Sequence, residues 1–375
     1  MSSPINQYIA IKIKQRKDQN NFRSLKIVKG LIDFYSNDYL GFAQDKELQN
    51  RVEEEVKLND AYLGSTGSRL LSGNSSYAES VEKLLAEFYN AESALIFNSG
   101  FDANYGLLSS LPYRGDTIIY DELVHASIHD GIRNSRAGAV MFAHNNVEEL
   151  ETKLKTATGL KYVVVESIYS MDGDYTPLKE IAALCEKYEA GLIIDEAHAV
   201  GIAGDKGRGV VAELKLEDKC LVRINTFGKA IGAHGAVVLC KDDLKTFLVN
   251  YCRPFIYSTS LPFHSLATIK CAHQYLLQAD ERRNMLFTLI QTFQQQFKPG
   301  NKYKLTGGKS PIQSLIVEGN EQAKNIAQQI QKAGFDVRAI LHPTVAKGKE
   351  RIRICIHSFN TTQEVLKLAE VINSL

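Results

Sequence analysis

ESALIFNS (residues 92–99), DTIIYD (116–121), AVMFAH (139–144), YVVVES (162–167), GLIIDEA (191–197) and GAVVLC (235–240) are six short apolar runs separated by helix-like stretches. The alternation reads as βαβ layers, a mostly parallel sheet whose strands are buried on both faces. Polar residues follow these runs directly: Asn98, Ser99 and Gly100 after the first, Asp121 and Glu122 after the second, Glu166 and Ser167 after the fourth, and Asp195 within the fifth. In open α/β sheets ligands collect beyond the carboxyl ends of strands, so a site is expected among these tails.

Upstream of the runs, residues 1–40 combine a polar, helix-capable arm with LIDFYSNDYLGFA (31–43), an apolar segment that stops at a Ser-Asn-Asp turn signal. Beyond the last run, the pattern changes to the helical SLATIKCAHQYLLQADERRNMLFTLIQTFQQQF (265–297). Two short strands, PIQSLIVEG (311–319) and ERIRICIHS (350–358), then flank the helix-like EQAKNIAQQIQKAG (321–334). The expected organisation is an N-terminal arm over 1–40, a large α/β domain over 41–265 and a smaller α+β domain over 266–375.

Composition narrows the class of partner. Forty-four Lys and Arg balance forty-three Asp and Glu in 375 residues, so no global field favours nucleic acid or an anionic membrane. A small-molecule partner is expected instead. Six scattered cysteines (Cys185, Cys220, Cys240, Cys252, Cys271, Cys355) form no C-x-x-C pair, which suits reduced core thiols. With no signal-peptide pattern and no long uncharged apolar stretch, the expectation is a cytoplasmic protein without a membrane span.

Several residues invite chemistry. Lys229 lies among small residues in INTFGKAIGAHGA (224–236); a lysine in a dry pocket loses its preference for the charged form and can form a Schiff base with an aldehyde. The alternative is a solvated surface lysine. In IIDEAHAVG (193–201), Asp195 and His198 leave a strand end, where a carboxylate can hold a pyridinium nitrogen protonated; a capping Asp beside a satisfied His is the plainer reading. The letters DEAH also suggest a helicase box, but the candidate P-loop at Gly308-Lys309-Ser310 has Tyr303 where its first Gly belongs and lies downstream.

FNSGFDANYG (97–106) is a strand-to-helix turn that aims backbone N–H groups at an anion. His125 and His129 stand at i and i+4, but without a third ligand no metal is expected. A ring of His125 flat on a planar cofactor is the sharper reading. Ser170 sits in the Asp/Gly-rich turn of VVVESIYSMDGDYTPL (163–178). The loop GSTGSRLLSGNSSYAE (64–79) either cradles a phosphate-bearing substrate or simply leads into a helix. Arg351 and Arg353 share one face of a strand, where one can pair bidentately with a carboxylate, the alternative being solvated edge arginines.

Taken in order, SNDYLG, GSTGSRLLSGN, SGFDANYG, HASIHDG, VVVESIYSMDGDYTPL, IIDEAHAVGIAGDKGRG, TFGKAIGAHGA and FIYSTSLP resemble the α-oxoamine synthases from about Leu31 to the C-terminus. These are pyridoxal-phosphate enzymes of the aspartate-aminotransferase fold (fold type I). The resemblance implies that Lys229 holds pyridoxal 5'-phosphate and removes the α-proton of the amino acid. It implies that Asp195 pairs with the ring nitrogen, His198 with the ring hydroxyl, and that His125 stacks on the ring near Ser170. Gly100, Phe101 and Thr226 would hold the phosphate with Ser258 or Thr259 of a second subunit, hence a homodimer. Arg353 and Asn37 would meet the amino-acid carboxylate, and Thr344 and Arg23 the acyl thioester.

The branch most resembled condenses L-alanine with a pimeloyl thioester, carried on CoA or a carrier protein, in a decarboxylative Claisen reaction of biotin synthesis. Serine palmitoyltransferase-like and glycine C-acetyltransferase members, and a catalytically silent partner subunit, are the alternatives. Two departures bear on acyl preference: HPTVAKG (342–348) and HSFN (357–360) replace the family's usual PPTVP-x-G and T-A-A-H. Arg69 and Leu70 in the Gly/Ser loop lean toward the serine-using members.

Overall fold

The six apolar runs and one more segment form a seven-stranded sheet: β1 Ser93–Phe97, β2 Thr117–Asp121, β3 Gly138–Phe142, β4 Lys161–Glu166, β5 Ala190–Asp195, β6 Val222–Thr226 and β7 Ala236–Cys240. Their order is β1-β7-β6-β5-β4-β2-β3. β7 runs antiparallel to both neighbours, whereas all other pairs are parallel. The carboxyl ends of the six parallel strands therefore share an edge with the amino end of β7. The connection from Phe227 to Gly235 turns on that edge.

The computed structural model describes residues 3–25, 27–59, 62–297 and 302–375. It divides into two units: Asn37–Ser170 with Tyr175–Asn284, and Met171–Asp174 with Met285–Leu375 and the chain up to Ser36. In the larger unit, helices Gly100–Ser110, Ala126–Asn134, Val147–Thr156 and Leu178–Lys187 follow β1, β2, β3 and β4. Leu95, Leu107, Ile118, Ile128, Val164, Ile193, Ile224 and Val238 meet in its core, each fully buried aliphatic contributing about 1.5–3 kcal/mol.

Two strands depart from the sequence reading. β3 is an edge strand paired only with β2, and its Val140 and Met141 are exposed rather than buried on both faces. β6 is absent from the six runs because Arg223 and Asn225 interrupt its apolar pattern. Both are nevertheless buried, and Arg223 donates to the carbonyls of Tyr89 and Asn90 at 2.8 and 3.0 Å.

The Gly/Ser loop is tied down by charge. Arg69 donates to Glu82 at 2.8 Å and to Asn74 at 2.7 Å, while Glu82 also accepts from Lys245 at 3.2 Å and from the Ile96 N–H at 3.0 Å. This network joins helices Ser76–Phe88 and Asp242–Tyr251 to β1. Arg69 is thus committed to a buried carboxylate.

The smaller unit carries a four-stranded antiparallel sheet of β8 Lys304–Thr306, β9 Ile312–Ile316, β10 Arg338–Ile340 and β11 Arg351–Cys355, in the order β10-β11-β9-β8. β11 is an inner strand and is buried along its length. Arg351 and Arg353 are therefore not solvated edge arginines; Arg351 donates to Asp172 at 2.5 Å and to the Met171 carbonyl at 3.2 Å. The N-terminal arm forms helix Pro4–Asp18, with Pro4 in its first turn and Ser3 as its cap. Among the described residues no helix is long and apolar enough to cross a membrane.

Candidate active site

At the shared edge of the larger unit, a cavity of about 260 Å³ is lined by Asn37, Ser99, Gly100, Phe101, Asn104, His125, Glu166, Asp195, Ala197, His198, Thr226, Gly228, Lys229, His234 and Gly235. Eight candidates from the sequence, namely Asn37, Gly100, Phe101, His125, Asp195, His198, Thr226 and Lys229, converge here from segments far apart in the chain. Other candidates lie elsewhere. Ser170 follows the bridge at Ile168 and does not line this cavity. Ser258 lines a separate small pocket with Arg69 and Ser260, and the Thr259 carbonyl accepts from Asn98 at 2.8 Å. Arg23 and Thr344 meet each other in the smaller unit, at 3.0 Å, and Arg353 lies on β11 with Nη1 3.0 Å from the Cys355 sulfur.

Local structure explains each placement. Lys229 rides the tight connection between β6 and β7, which is closed by the Phe227 N–H to the Gly235 carbonyl at 2.9 Å and the Ala233 N–H to the Phe227 carbonyl at 2.8 Å. The turn needs Gly232, whose φ is +64° and whose added Cβ would lie 2.5 Å from the Ala43 nitrogen. Asp195 ends β5; its Oδ1 accepts from the Ala197 N–H at 2.8 Å and its Oδ2 from Asn104 at 2.7 Å. These bonds fix the orientation of the carboxylate. His198 Nδ1 lies 2.8 Å from the Tyr39 hydroxyl, which also donates to Asn37 at 3.1 Å.

His125 caps helix Ala126–Asn134: its Nδ1 accepts from the Ser127 N–H at 3.2 Å. The Ser127 hydroxyl lies 2.8 Å from that nitrogen and accepts from Asn104 at 3.1 Å, so a polar chain runs from His125 to Asp195. Burial lowers the His125 pKa, with the Lys229 charge acting the same way and Asp195 opposing. The ring is held neutral. His129 faces away from the cavity lining and packs edge-on to Tyr120, with centroids 5.5 Å apart. Among the described residues, no three His, Cys, Asp or Glu come together as a metal site.

The anion end is built from backbone. Helix Gly100–Ser110 is capped by Ser99, whose side chain accepts from the Asp102 N–H at 3.1 Å. The N–H groups of Gly100 and Phe101 remain at the helix end, where the dipole favours negative charge. A Cβ on Gly100 would come within 2.3 Å of Thr226 Cγ2, so only glycine lets helix and strand approach this closely. The Thr226 Oγ1 is buried without a hydrogen-bond partner.

Sequence reasoning left Tyr39, Asn104, Ser127 and Glu166 outside the site. Tyr39, Asn104 and Ser127 sit within quoted motifs, and Glu166 was visible as a polar strand end. What marks them as site residues is burial together with mutual hydrogen bonding across the sheet, which local sequence does not carry.

A family model described as aminotransferase class I and II matches residues 29–372. An 8-amino-7-oxononanoate synthase from Emericella nidulans is 40% identical over 96% of this chain and 93% of its own. One from Marinobacter nauticus is 38% identical over 96% and 94%. Among solved structures, a serine palmitoyltransferase from S. paucimobilis with a bound PLP-myriocin aldimine superposes with a TM-score of 0.90 at 28% identity, covering 100% of this chain and 98% of that one. The 8-amino-7-oxononanoate synthase from Francisella tularensis gives 0.79 at 26%, covering 92% and 98%.

Proposed function

The chain belongs to the class I and II aminotransferase family, and from that premise we propose that it is a pyridoxal-phosphate-dependent acyltransferase. It condenses L-alanine with a pimeloyl thioester, releasing carbon dioxide and the carrier thiol, to give 8-amino-7-oxononanoate for biotin synthesis. The observation that carries this reading is the cavity that gathers Lys229, Asp195, His198 and a neutral His125 opposite an unclaimed helix end. The names of relatives at 34–40% identity over nearly the whole chain support the choice of reaction.

The residues fit the cofactor. Thr226 Oγ1 is a buried group without a partner, and the Gly100 and Phe101 amides stand beside it, the donor set a phosphate requires. Asp195, already fixed by Ala197 and Asn104, would take a protonated ring nitrogen. His198, aligned by Tyr39, would take the ring hydroxyl, and His125 would lie against the ring. Lys229 would hold the aldehyde carbon. When bound, the cofactor supplies an electron sink for a carbanion at the amino-acid α-carbon.

The chain's own residues do the rest. Lys229 Nζ would take the α-proton of the amino acid and hold it within the cavity. Asp195, held in place by the Ala197 N–H and Asn104, would keep the ring nitrogen oriented. Arg353 would take the amino-acid carboxylate, and Arg23 with Thr344 would guide the acyl thioester. Ser258 and Thr259 complete the phosphate site of a second copy in a homodimer. The exposed Leu70, Leu71 and Tyr257 of the larger unit support such an interface. Six thiols, none in a disulfide, favour a reducing compartment, here the cytoplasm.

A serine-using reaction is the second reading, favoured by the TM-score of 0.90 to serine palmitoyltransferase. Titrating the cofactor's visible absorption band with L-alanine, glycine and L-serine separates the two. The proposal expects the band to respond at the lowest concentration to alanine. A lower half-saturation for serine would favour the second reading.

A further inference from the structure

Glu166 and Asp195 are register partners on the parallel strands β4 and β5, so both side chains emerge on the same face. Both are buried, Glu166 to 2% and Asp195 to 4% exposure, and both line the cavity. Two carboxylates this close in a dry site do not both stay charged. Their surroundings decide which takes the proton. Asp195 already accepts two hydrogen bonds, from the Ala197 N–H and from Asn104, whereas Glu166 Oε1 has no partner.

We propose that Glu166 is a neutral carboxylic acid in the folded protein and acts as a positioning residue, offering a donor in the cavity beside Asp195. The groups acting on it are Asp195 from β5, Asp121 from the end of β2, Lys229 from the β6–β7 connection and the backbone of His125. Tyr169, three residues further along the chain, is also coupled to it electrostatically. Burial and the Asp195 charge raise its pKa, outweighing Lys229 and the His125 N–H. The positioning part of the proposal rests on the cofactor reading above; the protonation part does not.

The test uses the wild-type chain, Glu166→Gln and Glu166→Leu. In urea unfolding of the cofactor-free proteins, a carboxyl protonated only when folded makes the wild type lose stability as pH rises above its unfolded pKa. The folded-to-unfolded ratio of Glu166→Gln relative to wild type should then rise about tenfold per pH unit from about pH 5 to 7. A ratio independent of pH overturns the proposal. In equilibrium titrations with pyridoxal phosphate, Glu166→Gln, which keeps a donor, should bind within about threefold of wild type, while Glu166→Leu loses about tenfold or more. Equal affinity in both variants, or a Gln variant as weak as the Leu one, overturns the positioning role. Failure of the wild type to bind pyridoxal phosphate would instead remove the cofactor reading, with the pH arm still deciding the protonation state.

Discussion

Thr226 shows how a single side chain connects stability and binding. Its buried Oγ1 has no hydrogen-bond partner, and an unsatisfied buried hydroxyl costs about 1–3 kcal/mol. Thr226→Val keeps the shape and removes the hydroxyl. The expected outcome is a cofactor-free protein at least as stable as wild type, by up to about 1 kcal/mol in urea unfolding, that binds pyridoxal phosphate about tenfold more weakly. A variant that is destabilised with unchanged affinity would mean that the hydroxyl serves the fold instead. Lys229 was legible in the sequence because small residues on both sides leave room around its amine. Asn104 and Ser127 were not, because each looks like an ordinary polar helix residue until the sheet brings Asp195 and His125 to either end of them.

Among elements, the connection between β6 and β7 and the helix after β1 create the site, and the Glu82 network ties β1 to the helices Ser76–Phe88 and Asp242–Tyr251. Glu82 is buried to 3% exposure and compensates Arg69, Lys245 and the Ile96 N–H together. Removing one partner of a buried ion pair costs about 3–5 kcal/mol because the others are left unpaired. Glu82→Ala should therefore lower stability by about that amount in chemical denaturation; a loss below about 1 kcal/mol would show the charges to be solvated. The strands themselves were largely readable as apolar runs. β6 was hidden by Arg223 and Asn225, polar residues satisfied or enclosed only by the folded sheet, and the edge position of β3 follows from strand order, which a local run does not encode.

Over the whole molecule, buried titratable groups set the pH range of stability. His273 is enclosed, with one ring nitrogen on the Ile269 carbonyl at 2.7 Å and the other 2.9 Å from the Tyr89 hydroxyl, and burial lowers its pKa to about 4. A histidine kept neutral when folded gives stability that is present above its unfolded pKa near 6.5 and is lost as pH falls toward 4. The loss amounts to about 3 kcal/mol. His273→Gln should flatten the stability curve over that range, and an unchanged slope would assign the acid sensitivity to other groups. The fold class was legible at this scale because eight motifs fall in a fixed order along the chain. The partition into a larger unit with Tyr175–Asn284 and a smaller one that includes Met171–Asp174 was not, since it depends on packing between distant segments. The most direct test of the central claim is to incubate the purified, pyridoxal-phosphate-loaded protein with L-alanine and pimeloyl-CoA and measure 8-amino-7-oxononanoate by mass spectrometry, with Lys229→Ala alongside. The account predicts product and carbon dioxide in equal amounts from the wild type and a loss of about 10³-fold or more in the variant; no product from the wild type, or product undiminished without Lys229, would contradict it.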